Sequence, residues 1–114
     1  MLPRTITLSD GQVMPNLGLG TVHLDSEQLI YDSIVTGGYR LFDCATCYKN
    51  EEVVGAAIAR AISEGHVTRE DLFIVTKVWM DNFNDPEAAL RLSLEKLQCG
   101  YADLYMIHWP AGYF

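Results

Sequence analysis

Apolar and polar positions alternate through residues 5–14, TITLSDGQVM, and the alternation is interrupted by Asp10-Gly11. That pattern predicts a tight β-hairpin, because the pair supplies a turn between two half-buried strands. The pattern then changes period several times. NLGLGTV, residues 16–22, predicts a short glycine-containing strand. A helix follows, capped by Asp25 or Ser26, with Leu29, Ile30, Ile34 and Val35 on its apolar face and Gly37-Gly38 as its stop. YRLFD, residues 39–43, predicts a second strand. From about Asn50 a second helix begins with Glu51 and Glu52 in its first turn, where acids complement the helix dipole. Its stripe is Val54, Ala57, Ile58, Ala61 and Ile62, ending near Gly65. DLFIVTK, residues 71–77, is an almost unbroken apolar run of the kind buried on both faces of a parallel sheet. Asp85-Pro86 opens a third helix lined by Leu90, Leu94 and Leu97 and closed by Gly100, and DLYMIH, residues 103–108, predicts a fourth strand.

The resulting order, β-α-β-α-β-α-β with short connections, predicts an α/β protein whose parallel strands are joined by crossover helices. Strands two, three and four end at Asp43, Lys77 and His108. Carboxyl ends of parallel strands are where α/β proteins place their sites, and adjacent strands lie about 5 Å apart. Asp43 and Lys77 can therefore pair, with His108 one strand further on. Tyr48 follows Asp43 in a loop that can fold over the same edge.

Composition sharpens this picture. The chain has 114 residues, 49% of them apolar, which suits one compact domain with a core. Its net charge of −7 comes without a Lys/Arg cluster, which argues against nucleic acid or an anionic membrane as partner. No run resembles a signal peptide or a membrane span. The three cysteines form an odd count that suits a reducing, cytoplasmic setting better than a disulfide framework. Cys44-Ala-Thr-Cys47 has the C-x-x-C spacing of a redox dithiol or half a metal site. However, Tyr48, Lys49 and Asn50 separate it from the next helix N-terminus, where a thioredoxin-type cysteine would sit. Only Cys99, His66 and His23, irregularly spaced, remain as further zinc ligands. These cysteines are expected to be packing residues, with no metal. Gly18-Leu19-Gly20 is not a dinucleotide-binding fingerprint either, since His23 stands where G-x-G-x-x-G requires its last glycine.

Taken in order, NLGLGT, GYRLFDCATCYKNEEVVG, LFIVTKVW and DLYMIHWP resemble the successive N-terminal motifs of the aldo-keto reductases, closest to the aldose-reductase-like branch. The resemblance implies a (β/α)8 TIM barrel, of which residues 1–114 would be the N-terminal half: a hairpin and the first four strands with three helices. It implies a catalytic set of Tyr48, Asp43, Lys77 and His108, a cofactor-binding set of Gly20, Thr21, Val22 and Asp43, and a substrate pocket walled by Trp79, His108 and Trp109. It assigns Cys44 and Cys47 no role. The activity implied is reduction of aldehydes or ketones with NADPH in the cytoplasm. That chemistry suits these residue types. Hydride addition to a carbonyl leaves an alkoxide that needs a proton. A phenol gives one up reluctantly near neutral pH, and an adjacent ammonium favours the phenolate. An aspartate would hold that ammonium, a histidine N–H would orient the carbonyl, and a nicotinamide must supply the hydride.

A complete barrel of this kind needs about 250 residues, so the remainder of the barrel or another chain is expected to complete the fold. The alternative expectation is a non-catalytic half-barrel that keeps the motifs as a structural or interaction subunit.

Overall fold

The computed structural model describes residues 4–112, so the outermost positions of the expected domain, 1–3 and 113–114, lie outside it. The hairpin forms as its alternation requires: β1 (Thr5–Thr7) pairs antiparallel with β2 (Val13–Pro15), with Ile6 opposite Met14. Gly11 turns the chain at φ 89°, a conformation strained for residues with a Cβ, and the Asp10 carboxylate accepts from the Gln12 N–H at 3.0 Å.

Beyond the hairpin, β3 (Gly18–Gly20), β4 (Leu41–Asp43), β5 (Phe73–Val78) and β6 (Leu104–Ile107) form a parallel sheet in that order. The crossovers are α1 (Glu27–Val35), α2 (Glu51–Ser63) and α3 (Pro86–Leu97). The expected β-α-β-α-β-α-β order is therefore present. The strands are mostly shorter than the apolar runs suggested. Tyr39, for instance, was expected in β4, but its N–H donates to Ser33 O at 2.9 Å and closes the end of α1 instead.

Helix boundaries follow the local chemistry with two corrections. Ser26 is the N-cap of α1, its hydroxyl accepting from Leu29 N–H at 3.2 Å, whereas Asp25 lies outside. The α1 face that packs inward is centred on Ile30, Tyr31 and Ile34, so Leu29 falls at its margin and is half exposed. In α2, Val54, Ala57, Ile58 and Ala61 are fully buried as expected, and Ile62 packs at their border. At the end of α3 the chain reverses at Gln98 (φ 52°), two residues before Gly100 (φ 76°). A glycine was expected to end the helix, but a glutamine takes the left-handed position and the glycine makes the following turn.

The core lies between the helices and one face of the sheet, where Ile30, Ile34, Phe42, Val54, Ile58, Ile74 and Leu97 are fully buried. α2 and α3 meet closely at Gly55, where an added Cβ would lie 2.2 Å from Lys96 O and 2.8 Å from the Leu97 Cα. Only a glycine lets the two backbones approach that far. Among the described residues, no helix is long and apolar enough to cross a membrane.

Candidate active site

The carboxyl edge of the sheet gathers the ionisable residues. β4 delivers Asp43 and β5 delivers Lys77 on the same side, with Asp43 in register with Val75 two residues earlier. The Lys77 ammonium lies 2.6 Å from Asp43 Oδ1 and donates to Cys44 O at 2.9 Å. The carbonyl of Cys44 is well fixed, because the N–H of the same residue donates to Val75 O at 2.8 Å. Lys77 is buried while the Asp43 carboxylate is 42% exposed, so the pair is solvated on one flank. Its value is in aiming the ammonium rather than in net stability.

Tyr48 reaches this ammonium from a 3₁₀ turn, Thr46–Tyr48, that the apolar pattern did not reveal. The Tyr48 N–H donates to Ala45 O at 3.2 Å, and Lys49 exits in the left-handed conformation at φ 56°. Thr46 Oγ1 donates to Lys77 O at 3.0 Å and so fastens the turn to the end of β5. The Tyr48 hydroxyl consequently stands 3.4 Å from Lys77 Nζ. His108 follows β6 and is anchored by its N–H to Val78 O at 3.2 Å. Its ring lies perpendicular to Tyr48, with centroids 5.6 Å apart, and to Trp79, with centroids 5.2 Å apart. Partial burial, with the nearby Lys77 charge second and Asp43 opposing, lowers the imidazole pKa from its ordinary value and so favours the neutral ring. Trp109 stacks at a tilt on Trp79, 5.5 Å between centroids, and remains largely exposed.

Asp43, Lys77 and His108, expected at three strand ends, and Tyr48, expected in the loop after Asp43, are thus one cluster. The residues expected to hold a cofactor divide differently. Gly20 borders open space, with nothing within 4 Å of an added Cβ, and Val22 is 47% exposed. Thr21 is fully buried, and its hydroxyl and N–H both donate to Asp43 O, at 2.9 and 3.1 Å. Its side chain therefore acts on the cleft by fixing Asp43. Asn50 supports it from behind, donating through Nδ2 to Thr21 O at 2.6 Å and to Leu24 O at 2.9 Å.

Two supporting features went unseen in the sequence. Glu51, which looked like a dipole partner at the start of α2, is buried and accepts from Thr76 Oγ1 at 2.7 Å and Ser93 Oγ at 3.0 Å. Ser93 Oγ lies 3.3 Å from Thr46 Oγ1, so one polar network joins α2, α3, β5 and the turn that carries Tyr48. Two acids in a first helical turn, Glu51 and Glu52, give no sign that one of them is buried. The cysteines also differ from one another. Cys44 is fully buried, and desolvation pushes its thiol up to about 12, as an inert packing residue requires. Cys47 is only half-buried, its thiol also raised by desolvation, and its Sγ lies 3.5 Å from His108 Nδ1. It was expected to be a packing residue, yet it touches the site. All three cysteines are free, and among the described residues no cluster of three or more His, Cys, Asp or Glu gathers as for a metal.

A parallel α/β sheet with an Asp–Lys–Tyr–His cluster at its carboxyl edge defines a class of enzyme scaffold, and sequence comparison specifies which. Residues 11–114 match the aldo/keto reductase family, and the chain belongs to that family. It is 50% identical over 110 residues to methylglyoxal reductase DkgA of Escherichia coli O157:H7, covering 95% of this chain and 38% of that protein. It is 47% identical over 116 residues to the NAD(P)H-dependent D-xylose reductase of Scheffersomyces stipitis, covering 96% of this chain and 36% of that protein. The crystal structure of Bombyx mori aldo-keto reductase in complex with NADP superposes with a TM-score of 0.88 at 42% identity, over 95% of this chain and 38% of the other. The fold is that of the N-terminal part of an aldo-keto reductase TIM barrel, and the chain spans little more than a third of the length of these relatives.

Proposed function

We propose that this chain forms the catalytic edge of an NADPH-dependent carbonyl reductase that converts aldehydes or ketones to alcohols. The observation that carries the reading is the Lys77 ammonium, fixed by Asp43 Oδ1 and Cys44 O while facing the Tyr48 hydroxyl at 3.4 Å. The open surface at Gly20 and Val22, next to the half-exposed Asp43 carboxylate, suits a flat ring lying against the β3 and β4 ends. Gly20, Val22 and Asp43 would hold the nicotinamide end of NADPH there, with Thr21 keeping Asp43 in place, and the bound cofactor supplies the hydride.

The remaining chemistry belongs to the chain. Tyr48 delivers its proton to the carbonyl oxygen as negative charge develops on it, and the ammonium of Lys77 stabilises the phenolate left behind. Asp43 and Cys44 O keep that ammonium aimed. His108, whose environment favours the neutral ring, donates a ring N–H to the same oxygen and orients the substrate. Trp79, edge-on to His108, and Trp109, tilted against Trp79, form an apolar wall for the substrate. Three free cysteines suit the reducing cytoplasm.

Completing the barrel requires the remaining strands, supplied by a longer chain or by a partner. A second reading is a structural half-barrel that keeps the motifs, in which the exposed Leu104, Met106 and Ile107 of β6 take a partner. The two are separated by Tyr48→Phe in the full-length protein. The reductase reading expects unchanged NADPH fluorescence quenching and turnover lowered about 10²–10⁴-fold. Wild-type protein that neither quenches NADPH fluorescence nor reduces an aldehyde would favour the structural reading.

A further inference from the structure

Histidine 108 has two ring nitrogens, and only one of them carries a proton when the ring is neutral. Which one decides whether the ring can donate to a carbonyl oxygen. The ring is flanked by Tyr48 and Trp79, both perpendicular to it at 89°, so its orientation is held by packing. Packing alone does not choose the tautomer. The polar contact that distinguishes the nitrogens is Cys47 Sγ, 3.5 Å from Nδ1.

We propose that Cys47 is a positioning residue that sets the tautomer of His108: its S–H donates to Nδ1 and leaves the ring proton on Nε2, ready for the substrate. This deepens, and rests on, the reductase reading of the site. The direction of the hydrogen bond follows from the partners. An imidazole nitrogen lone pair is a good acceptor, whereas thiol sulfur is a weak one, so the pair is better matched with sulfur donating. The thiol is also present as S–H, because desolvation raises its pKa. Cys47 owes its place to the 3₁₀ turn that also carries Tyr48, so one short segment presents the proton donor and orders the ring beside it. The C-x-x-C spacing that suggests a dithiol has a different meaning here, since Cys44 is sealed in the core and Cys47 faces the histidine.

The test is nitrogen NMR of isotope-labelled full-length protein, joined to steady-state kinetics with an aldehyde and NADPH. Wild type should show His108 with Nε2 protonated and Nδ1 bare. Cys47→Val keeps the bulk but removes the donor, and should populate both tautomers. It should also lower kcat/KM about two- to tenfold, the scale of one neutral hydrogen bond. Cys47→Ser keeps a donor and should restore both the tautomer and most of the rate. Should the valine variant fail to fold, Cys47→Ala provides a second donor-less side chain with less bulk. A proton on Nδ1 in wild type, or an unchanged tautomer in both donor-less variants, overturns the proposal. The spectroscopic readout needs no turnover. A wild-type protein inactive toward carbonyls therefore counts against the reductase reading alone, while the tautomer still decides the role of Cys47.

Discussion

β5 and β6 are adjacent parallel strands of similar apolar character, FIVTKV and LYMI, paired from Val75 opposite Leu104 to Val78 opposite Ile107. All six residues of β5 are buried, whereas Leu104, Met106 and Ile107 of β6 are 36%, 41% and 61% exposed. Their own sequences do not account for this. β5 has β4 on one side, β6 on the other, and helices over one face. Among the described residues β6 has one neighbouring strand, β5, and an apolar groove of about 290 Å³ lined by Val78, Phe83, Pro86, Tyr105, Met106 and Ile107. An apolar run states a demand for burial, and whether the demand is met depends on what lies alongside.

The comparison can be broken most severely in β5. Ile74→Ala should lower stability by about 2–5 kcal/mol in urea denaturation, since the side chain is fully enclosed and its cavity cannot collapse easily. Met106→Ala should cost less than about 1 kcal/mol in residues 1–114 alone, being a change at an exposed position. A cost for Met106→Ala as large as that of Ile74→Ala in a protein with a completed barrel would show that further strands cover β6. Equal costs in residues 1–114 themselves would contradict the contrast.

The seam between the two strands comes next. The Asp103 carboxylate accepts from Ile74 N–H at 2.8 Å and Arg69 Nη2 at 2.9 Å, joining the start of β6 to β5. Asp103→Ala should cost about 1–3 kcal/mol, because it strands an N–H and a partly buried guanidinium. A neutral result by the same denaturation measurement would show that the ladder alone aligns the strands.

The smallest effect concerns His108, which follows β6 and whose ring meets Tyr48 and Cys47 of the 3₁₀ turn and Trp79 just after β5. Its titration midpoint, followed by NMR, should lie below that of ordinary imidazole, through burial first and the Lys77 charge second. Lys77→Met should raise it partway. A depressed folded-state pKa means that the unfolded chain binds more protons as the pH falls through the ordinary imidazole range. The resulting stability is present above that range and is lost on acidification. A midpoint at or above the ordinary value would show that the ring is less enclosed than its neighbours imply.

Much of this arrangement was legible in the chain itself. Apolar runs ending in Asp43, Lys77 and His108 announced both the parallel sheet and the edge at which those residues meet. What escaped was whatever depends on loop geometry. Lys49 and Gln98 adopt left-handed conformations without being glycine, so no composition signal marks either turn. Leu29 sits at a helical spacing compatible with the core, yet the buried face of α1 is centred on Ile30, Tyr31 and Ile34 and leaves it at the margin. The Cys47–His108 contact joins the β4–α2 turn to the residue after β6, a proximity that exists only once three strands are aligned. The Glu51 network was hidden for the same reason, since its hydroxyl partners come from β5 and α3.

Gly55 is buried where α2 meets α3, against the Lys96 carbonyl and Leu97, and it belongs to none of the groups proposed to act on a substrate. Yet it acts as the gauge of the machine: the absence of a side chain there fixes how far apart α2 and α3 stand. Glu51, one turn earlier on α2, reaches across that same gap to Ser93, whose hydroxyl lies against Thr46, which in turn holds the end of β5. Widening the gap by one methyl group would stretch this linkage before it disturbed any residue that touches a substrate. A glycine that lets two helices meet closely thereby keeps the tolerances of the cleft, and drift at this position would read in an assay as a defect in chemistry.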